Sequence, residues 1–273
     1  MSEQTELAPI VKTILNSRKY RDLDIPCETV MQLLRLEIEK SGKLKSAIKN
    51  TKQKLHNIVA PYLGDPDYEE AVKQLNFVME TNNPEKEREF CRKMLNSHAS
   101  TRERLPQLTD FYHSIFEITG KPASILDLAC GLHPFSIPWM NLPELEKYCA
   151  YDLHQPRILL LQTYFDSKSW DGIALHQDIL VEAPKEQAEV AFLFKETHRM
   201  ESREKDCNVR LWDALQVDWL VVTLPAISLS HHHDLRKKHI AMVDDLLEKT
   251  HTLWNRIDIE VNQELIFCLQ KIP

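Results

Sequence analysis

Ile125-Leu126-Asp127-Leu128-Ala129-Cys130-Gly131 reads as a short apolar strand running into a tight turn. Gly131 is one of five glycines in the chain, and a glycine there lets backbone approach a ligand closely. Taken alone it is equally a plain turn glycine. Six more apolar runs of strand length follow, at 148–153, 173–176, 190–194, 219–224, 257–261 and 265–269. Helical segments separate the early ones. Strands alternating with helices imply a mostly parallel sheet covered on both faces. The short Asn262-Gln263 joins the last two runs, so they are expected to form an antiparallel hairpin. The fold class is α/β, with a Rossmann-like sheet of seven strands.

The first hundred residues have a different period. Ile10, Val11, Ile14 and Leu15 recur at helical spacing. Val30, Leu33 and Leu34 open a second helix, and Leu44, Ile48, Leu55, Ile58 and Val59 line a third. Pro61 and Gly64-Asp65-Pro66 mark a break. Two more helices are expected near 67–79 and 85–97, divided by Thr81-Asn82-Asn83-Pro84. The expected organisation is an all-helical N-terminal domain over 1–105 and the seven-stranded domain over 106–273.

Ser100-Thr101-Arg102-Glu103 has the form of a capping box. The helix it opens is expected to continue through Leu105, Leu108, Phe111, Tyr112, Ile115 and Phe116. Arg102 and Arg104 then lie in or near its first turn, where the helix dipole disfavours cations. That placement invites an anionic ligand group. Pairing of the arginines with Glu103 or Asp110 at the surface is the other reading.

Two acids stand at successive strand ends. Asp152, in Tyr151-Asp152-Leu153, lies at the second tip, where dinucleotide-type folds place an acid on a ribose diol. Asp178, in His176-Gln177-Asp178-Ile179, lies at the third tip, placed to accept from the exocyclic amine of an adenine. Each aspartate alone is as readily a loop residue or helix cap. Gly, Asp and Asp at three consecutive tips favour an adenosine ligand. The G-x-G-x-x-G fingerprint of NAD folds is absent, since Leu132-His133-Pro134 follows Gly131. Pyrophosphate needs that glycine cradle, whereas S-adenosylmethionine, having no phosphate, does not.

Composition narrows the function classes. Hydrophobic residues at 43% and charged residues at 27% are ordinary for a soluble globular protein. No apolar run approaches the roughly 20 residues that span a bilayer. MSEQTELAPIVK has no basic start before an apolar core, so no secretory signal is read there and a cytoplasmic location is expected. The six cysteines lack C-x-x-C spacing and read as reduced thiols. His231-His232-His233-Asp234 lacks helical i, i+4 geometry, so no metal is expected. The net charge of -7 argues against a nucleic-acid partner, but its distribution argues the other way. Residues 9–56 hold eleven Lys/Arg against five acids. Lys45, Lys49 and Lys52 form a helical stripe continued by His56. A solvated helix face is the plain reading of such a stripe, and the local basic excess favours RNA.

Seven strands ending in a hairpin is the pattern of class I methyltransferases, and particular motifs sharpen the resemblance. His98-Ala99-Ser100-Thr101-Arg102-Glu103-Arg104 resembles the H-x-S-T-x-E-R signature of the bacterial 16S rRNA guanine-N7 methyltransferases of aminoglycoside resistance, the Arm/Rmt group. Leu126-Asp127-Leu128-Ala129-Cys130-Gly131-Leu132-His133-Pro134 resembles that family's L-D-x-A-C-G-x-N-P loop. Lys54-Leu55-His56, Tyr151-Asp152-Leu153, Gln177-Asp178-Ile179, Leu193-Phe194-Lys195 and Glu264-Leu265-Ile266-Phe267 correspond in order, so the resemblance covers nearly the whole chain. It implies methylation of a guanine N7 in the decoding site of 16S rRNA within the 30S subunit. It further implies a helical extension that docks on that subunit. Arg104, Gly131, Asp152, Leu153, Asp178 and Ile179 would bind S-adenosylmethionine, and Lys195 would be the catalytic residue near cofactor and base. Lys54 and His56 would join the lysine stripe in binding RNA, and the protein would act as a monomer.

The chain departs from the family pattern at three places. His133 replaces the usual Asn. Glu196-Thr197-His198 follows Phe-Lys where the family has Leu-Leu-Pro or similar. Ile227 stands at the basic position of the S-F-P-x-[KR]-S-L segment. Methylation of another RNA or a small molecule therefore remains open beside the rRNA reading, as does a non-catalytic RNA-binding relative.

Overall fold

The structure, a computed structural model, describes residues 3–21, 23–59, 66–228 and 233–272. Five helices come first: α1 (Glu3–Leu15), α2 (Cys27–Ser41), α3 (Leu44–Val59), α4 (Tyr68–Glu80) and α5 (Pro84–Ser97). The short α6 (Ala99–Arg102), α7 (Leu108–Thr119) and β1 (Ser124–Leu128) follow. Then come α8 (Ile137–Met140), β2 (Lys147–Asp152), α9 (Gln155–Phe165), β3 (Asp171–His176) and β4 (Gln187–Phe194). The chain ends with α10 (Thr197–Arg203), α11 (Cys207–Ala214), β5 (Gln216–Pro225), α12 (Arg236–Lys249), β6 (Trp254–Val261) and β7 (Glu264–Lys271).

All seven expected strands form one sheet, in the order β3-β2-β1-β4-β5-β7-β6. β1 pairs in parallel with both β2 and β4, and β7 runs antiparallel between β5 and β6. Asn262 and Gln263 both have positive φ, as the two-residue turn of a right-twisted hairpin requires. The order of strands reverses between β1 and β4. Ligands of open α/β sheets bind in the crevice that opens there, beyond the carboxyl ends of the strands.

The strand side chains alternate between two cores, as a period of two dictates. On β4, Val190, Phe192 and Phe194 face one side with α4, α5, α7 and α9. Ala191 and Leu193 face the other, with Leu211 and Trp212 of α11 and Val243 and Leu246 of α12. A third core is separate. It holds Leu7, Val11 and Ile14 of α1, Val30, Leu33 and Leu34 of α2, and Ala47, Leu55 and Val59 of α3.

Three expectations of local structure change. Packing groups α4 and α5 with the sheet and α1–α3 apart from it. Leu75, Phe90, Met94 and Leu95 of α4 and α5 share the core beneath the sheet, because that face of the sheet would otherwise meet water. The buried face of α3 is Ala47, Thr51, Leu55 and Val59, while Leu44 is 47% exposed. The helix expected from Ser100 to Phe116 is broken, because Pro106 interrupts it and a 3-10 turn over Leu105–Gln107 separates α6 from α7. No capping box forms, since Ser100 Oγ pairs with His98 Nδ1 at 2.8 Å and Glu103 turns to Lys195. The break expected at Pro61 and Gly64-Asp65 lies outside the described residues, as do His231 and His232 of the histidine run. Among the described residues no group of three metal-ligating side chains gathers, and no helix is long and apolar enough to cross a membrane. The five cysteines from Cys91 to Cys268 are buried free thiols, and Cys27 is exposed.

Gly172 on β3 is sterically required. A Cβ there would lie 2.5 Å from Phe165 Cβ and 2.6 Å from the Trp170 ring. Overpacking of this kind costs about 1–3 kcal/mol. Gly172→Ala should therefore lower the urea midpoint with an unchanged slope, and an unchanged midpoint would show that α9 yields freely.

Candidate cofactor site

A cavity of about 220 Å³ opens at the β1–β4 crevice. Its walls come from four strand ends, from α10, from the His98–Arg104 segment and from α3. The tips of β1, β2 and β3 contribute Gly131, Asp152 with Leu153, and Asp178 with Ile179. Arg104 lines it as well. The six residues expected to hold the cofactor are thus brought to one cavity from four separate parts of the chain.

Local backbone explains the β1 tip. Ala129 and Gly131 have φ of 51° and 58°. A Cβ on Gly131 would meet no atom within 4 Å, so the glycine serves the left-handed turn and leaves its cavity side open. Its N–H donates to Asp152 Oδ2 at 3.0 Å, which locks the first tip to the second.

Both aspartates are already held by the protein. Asp152 also accepts from His154 N–H at 2.9 Å and Arg157 Nη1 at 2.9 Å. Asp178 accepts from Leu180 N–H at 3.0 Å and from both terminal nitrogens of Arg203, at 3.0 and 2.6 Å. A carboxylate offers about four acceptor positions. Three donors on each leave room for one more, which is what a ribose hydroxyl or an adenine amine would use. The fixed carboxylates are oriented in advance, which lowers the entropy cost of binding.

Arg104 is buried, and its main partner is a protein carboxylate. Nε donates to Glu264 Oε2 at 2.9 Å, and Nη2 donates to Glu264 Oε1 and, at 3.1 Å, to Thr223 Oγ1. The guanidinium lies 4.7 Å from the Phe194 ring centroid. Neither Glu103 nor Asp110 is its partner, because the break at Pro106 turns Arg104 inward. Nη1 has no protein acceptor among the described residues, and it is the nitrogen available to a ligand carboxylate. Burial alone would raise the Glu264 carboxyl, but Arg104 overrides it and the net shift is downward.

Lys195 does not line the cavity. Its ammonium sits 2.6 Å from Glu103 Oε2 and 3.3 Å from Glu264 Oε2, extending the Arg104–Glu264 network outward. Lys195, with φ of 60°, immediately precedes Glu196, which does line the cavity. Lys54 is also not displayed to solvent as part of the stripe. Its Nζ pairs with Glu37 at 3.0 Å and donates to the Arg203 carbonyl at 2.5 Å, at the cavity wall. Lys45, Lys49 and Lys52 are exposed on α3, and His56 is half-buried with Nδ1 unpartnered.

Sequence reasoning missed several site residues. Arg157 and Arg203 carry no motif, and their roles follow from the helices that bring them to Asp152 and Asp178. Thr223 and Glu264 became site residues only through strand order. Glu264 did carry a signal, an acid opening an otherwise apolar final strand. His133 fills a buried network. Its Nδ1 is 2.7 Å from Asp127 Oδ2 and its Nε2 is 2.6 Å from the Tyr112 hydroxyl, while the Tyr148 hydroxyl donates to the same Asp127 oxygen at 2.7 Å.

Removing one partner of a buried ion pair costs about 3–5 kcal/mol, because the other charge is stranded. Glu264→Gln should lose that order of stability at pH 7, and Arg104→Met with Glu264→Leu should lose less than Glu264→Gln alone. Because the folded-state pKa is depressed, the pair's contribution is complete above the ordinary carboxylate value of 4.5 and fades as pH falls through the lower folded value. Thermal melts of the variants at pH 7 and below pH 4 test both points, and parallel acid sensitivity in wild type and Glu264→Gln would refute the second.

Comparison with known proteins places this geometry. A family model described as ribosomal RNA methyltransferase (FmrO) matches residues 16–267. A 16S rRNA (guanine(1405)-N(7))-methyltransferase of Micromonospora echinospora is 28% identical over 96% of each chain. The enzyme of the same name from Micromonospora rosea is 31% identical over 80% of each. Among solved structures, the 16S rRNA methyltransferase RmtF in complex with S-adenosyl-L-homocysteine has a TM-score of 0.76 at 24% identity, covering 100% of both chains. An rRNA methylase from Escherichia coli has a TM-score of 0.74 at 24% identity, covering 97% of this chain and 99% of that one. At those identities the structures speak for the fold. The matched family model and the relatives along the length of the chain carry the assignment: this protein belongs to the FmrO family of ribosomal RNA methyltransferases.

Proposed function

We propose that the protein transfers a methyl group from S-adenosylmethionine to the N7 of a guanine in the decoding site of 16S rRNA, acting on the 30S subunit. The observation that carries this reading is the single cavity in which Gly131, Asp152 and Asp178 stand at three neighbouring strand tips with acceptor capacity left over. The relatives named for guanine-N7 methylation of 16S rRNA supply the substrate. Asp178 accepts from the adenine amine, Asp152 from the ribose diol, and Arg104 Nη1 donates to the methionine carboxylate. Leu153 and Ile179 offer apolar wall to the adenine ring.

The residues fit the group. The cavity provides the carboxylates of Asp178 and Asp152 towards one end and the Arg104 guanidinium towards the other, with Asp127 and Glu196 also on its walls, and it has no phosphate cradle. S-adenosylmethionine, when bound, supplies an electrophilic methyl on a sulfonium. Guanine N7 carries a lone pair and no proton, so no general base is required of the chain. What the protein must do is align donor and acceptor and exclude competing water. Lys195, engaged by Glu103 and Glu264, is not asked to relay a proton in this chemistry. Lys195 serves instead to hold the Arg104–Glu264 pair at the tail end of the site.

The α1–α3 unit is the rRNA-docking part, and the remainder carries out methyl transfer. Lys45, Lys49 and Lys52 point away from the buried Ala47, Thr51 and Leu55 face of α3, free to meet phosphates. A target guanine within folded RNA must also be unstacked, at a cost of a few kcal/mol that backbone contacts offset. We place the protein in the cytoplasm, acting as a monomer, where methylation of the decoding site would give aminoglycoside resistance.

Calorimetry should detect binding of S-adenosylhomocysteine, weakened about tenfold or more by Asp152→Ala and by Asp178→Ala, each tenfold being about 1.4 kcal/mol. Primer extension on 30S subunits treated with S-adenosylmethionine should report a modified guanine in 16S rRNA. Label appearing only in another RNA or a small molecule would redirect the substrate, and binding without transfer would mark a non-catalytic relative. Charge reversal of Lys45 and Lys49 together should weaken 30S binding and flatten its salt dependence. Binding that is unchanged at every salt concentration would take α3 out of the interface.

A further inference from the structure

The strand order β3-β2-β1-β4 lines up Asp178, Asp152, Gly131 and Glu196 along the cavity in that sequence. Neighbouring strands lie about 4.8 Å apart, so the four tips span about 14 Å. That is the length of an extended nucleoside with an amino-acid tail. With adenine at Asp178 and ribose at Asp152, the rest of the cofactor crosses the β1 tip towards Arg104, which is bonded to Thr223 of β5. The stretch between ribose and terminal carboxylate bears the sulfonium and the α-ammonium, and Glu196 stands at the strand tip beside it.

We propose, resting on the adenosine reading above, that Glu196 faces the cationic stretch of the cofactor and makes the protein distinguish S-adenosylmethionine from its neutral-sulfur product. Among the described acids of the cavity, Glu196 is the one whose carboxylate accepts no hydrogen bond from the protein. Its contact is an ion pair at 3.4 Å with Arg199, with 29% of its side chain exposed. Asp127, Asp152 and Asp178 are each held by hydrogen bonds to the protein.

The charges around Glu196 leave it responsive. Arg199 lies on its own helix, Asp152 at the β2 tip and Arg157 on α9. On the far walls, Lys54 is committed to Glu37 and Arg104 to Glu264. Burial, aided by Asp152 and opposed by Arg199 and Arg157, pushes the Glu196 carboxyl up to about 7. A cation bound beside it favours the ionised form, so cofactor binding should expel a proton below that pH. On transfer the S–C bond breaks with its electron pair left on sulfur, the new bond forms at N7, and the positive charge passes to the base. One of the two cations facing Glu196 is thereby lost, and the product is held less tightly than the reactant.

Calorimetric dissociation constants of the full-length protein for S-adenosylmethionine and S-adenosylhomocysteine, measured from pH 5.5 to 7.5, test this, and both compounds carry the α-amino group that begins to titrate at the upper end of that range, so the test reads the ratio of the two constants. The preference for S-adenosylmethionine should grow by about three- to tenfold across that range, where one unit of pKa shift corresponds to tenfold in affinity. Glu196→Gln should flatten the dependence. A preference that does not move with pH in the wild-type protein overturns the proposal without any variant, and equal pH dependence in Glu196→Gln overturns it as well. Failure to bind either compound at any pH is a different result, and it takes down the adenosine reading together with this one.

Discussion

The buried bond between Arg104 and Glu264 joins residues 160 positions apart and anchors the tail end of the cavity. Two charges leave water to form it, and only fixed geometry and extra hydrogen bonds repay such a cost. Thr223 and Lys195 supply those bonds, and the rings of Phe111 and Phe194 cover the guanidinium. The pair ties the segment ahead of β1 to the final strand. Because β7 is inserted antiparallel beside β5, the beginning of β7 meets the carboxyl ends of the parallel strands. The antiparallel hairpin is therefore part of the site, delivering a carboxylate that a parallel seventh strand would place at the opposite edge.

A second network crosses the cavity from the helical unit. Gln32 of α2 accepts from Arg203 Nη2 at 2.6 Å, and Lys54 of α3 donates to the Arg203 carbonyl. Arg203 in turn grips Asp178 with both terminal nitrogens. Arg199 donates to the Asn57 carbonyl at 3.2 Å. The unit whose outer face carries the lysine stripe thus braces, on its inner face, the carboxylate assigned to adenine. Under the proposed function, RNA docking and cofactor binding would share one helix, α3, with Arg203 linking them. Lys54, grouped by sequence with the RNA-facing lysines, belongs to the inner side of this arrangement.

The chemistry asked of such a site is modest, and the structure matches that. In the proposed reaction no nucleophile or proton relay is needed for attack by an unprotonated ring nitrogen, and the carboxylates of the cavity would serve to hold the ligand. Their positions are set by backbone: the left-handed turn at Ala129–Gly131 and the hydrogen bond from Gly131 to Asp152 fix two strand tips relative to each other. Lys195, also at positive φ, pairs with Glu103 and Glu264, while Glu196 beside it lines the cavity.

The sequence by itself determined the seven strands, the hairpin closing them, the helical start and the three strand-tip residues Gly131, Asp152 and Asp178. These are local properties: apolar runs of strand length, a two-residue turn, and residues one step past a strand end. It also carried the family through the motif at His98–Arg104 and the turn at Gly131. Tertiary structure alone decided what those residues touch. Arg104 pairs with Glu264 and Asp178 with Arg203 because strand order and helix packing bring distant residues together, and no periodicity encodes that. The assignment of α4 and α5 to the sheet core was likewise invisible, since an amphipathic helix shows which face it buries but not against what. The partners of Lys195 and Lys54 were hidden for one physical reason: a flexible charged side chain goes wherever its nearest opposite charge lies, and Glu103, Glu264 and Glu37 came within reach only once the chain had folded.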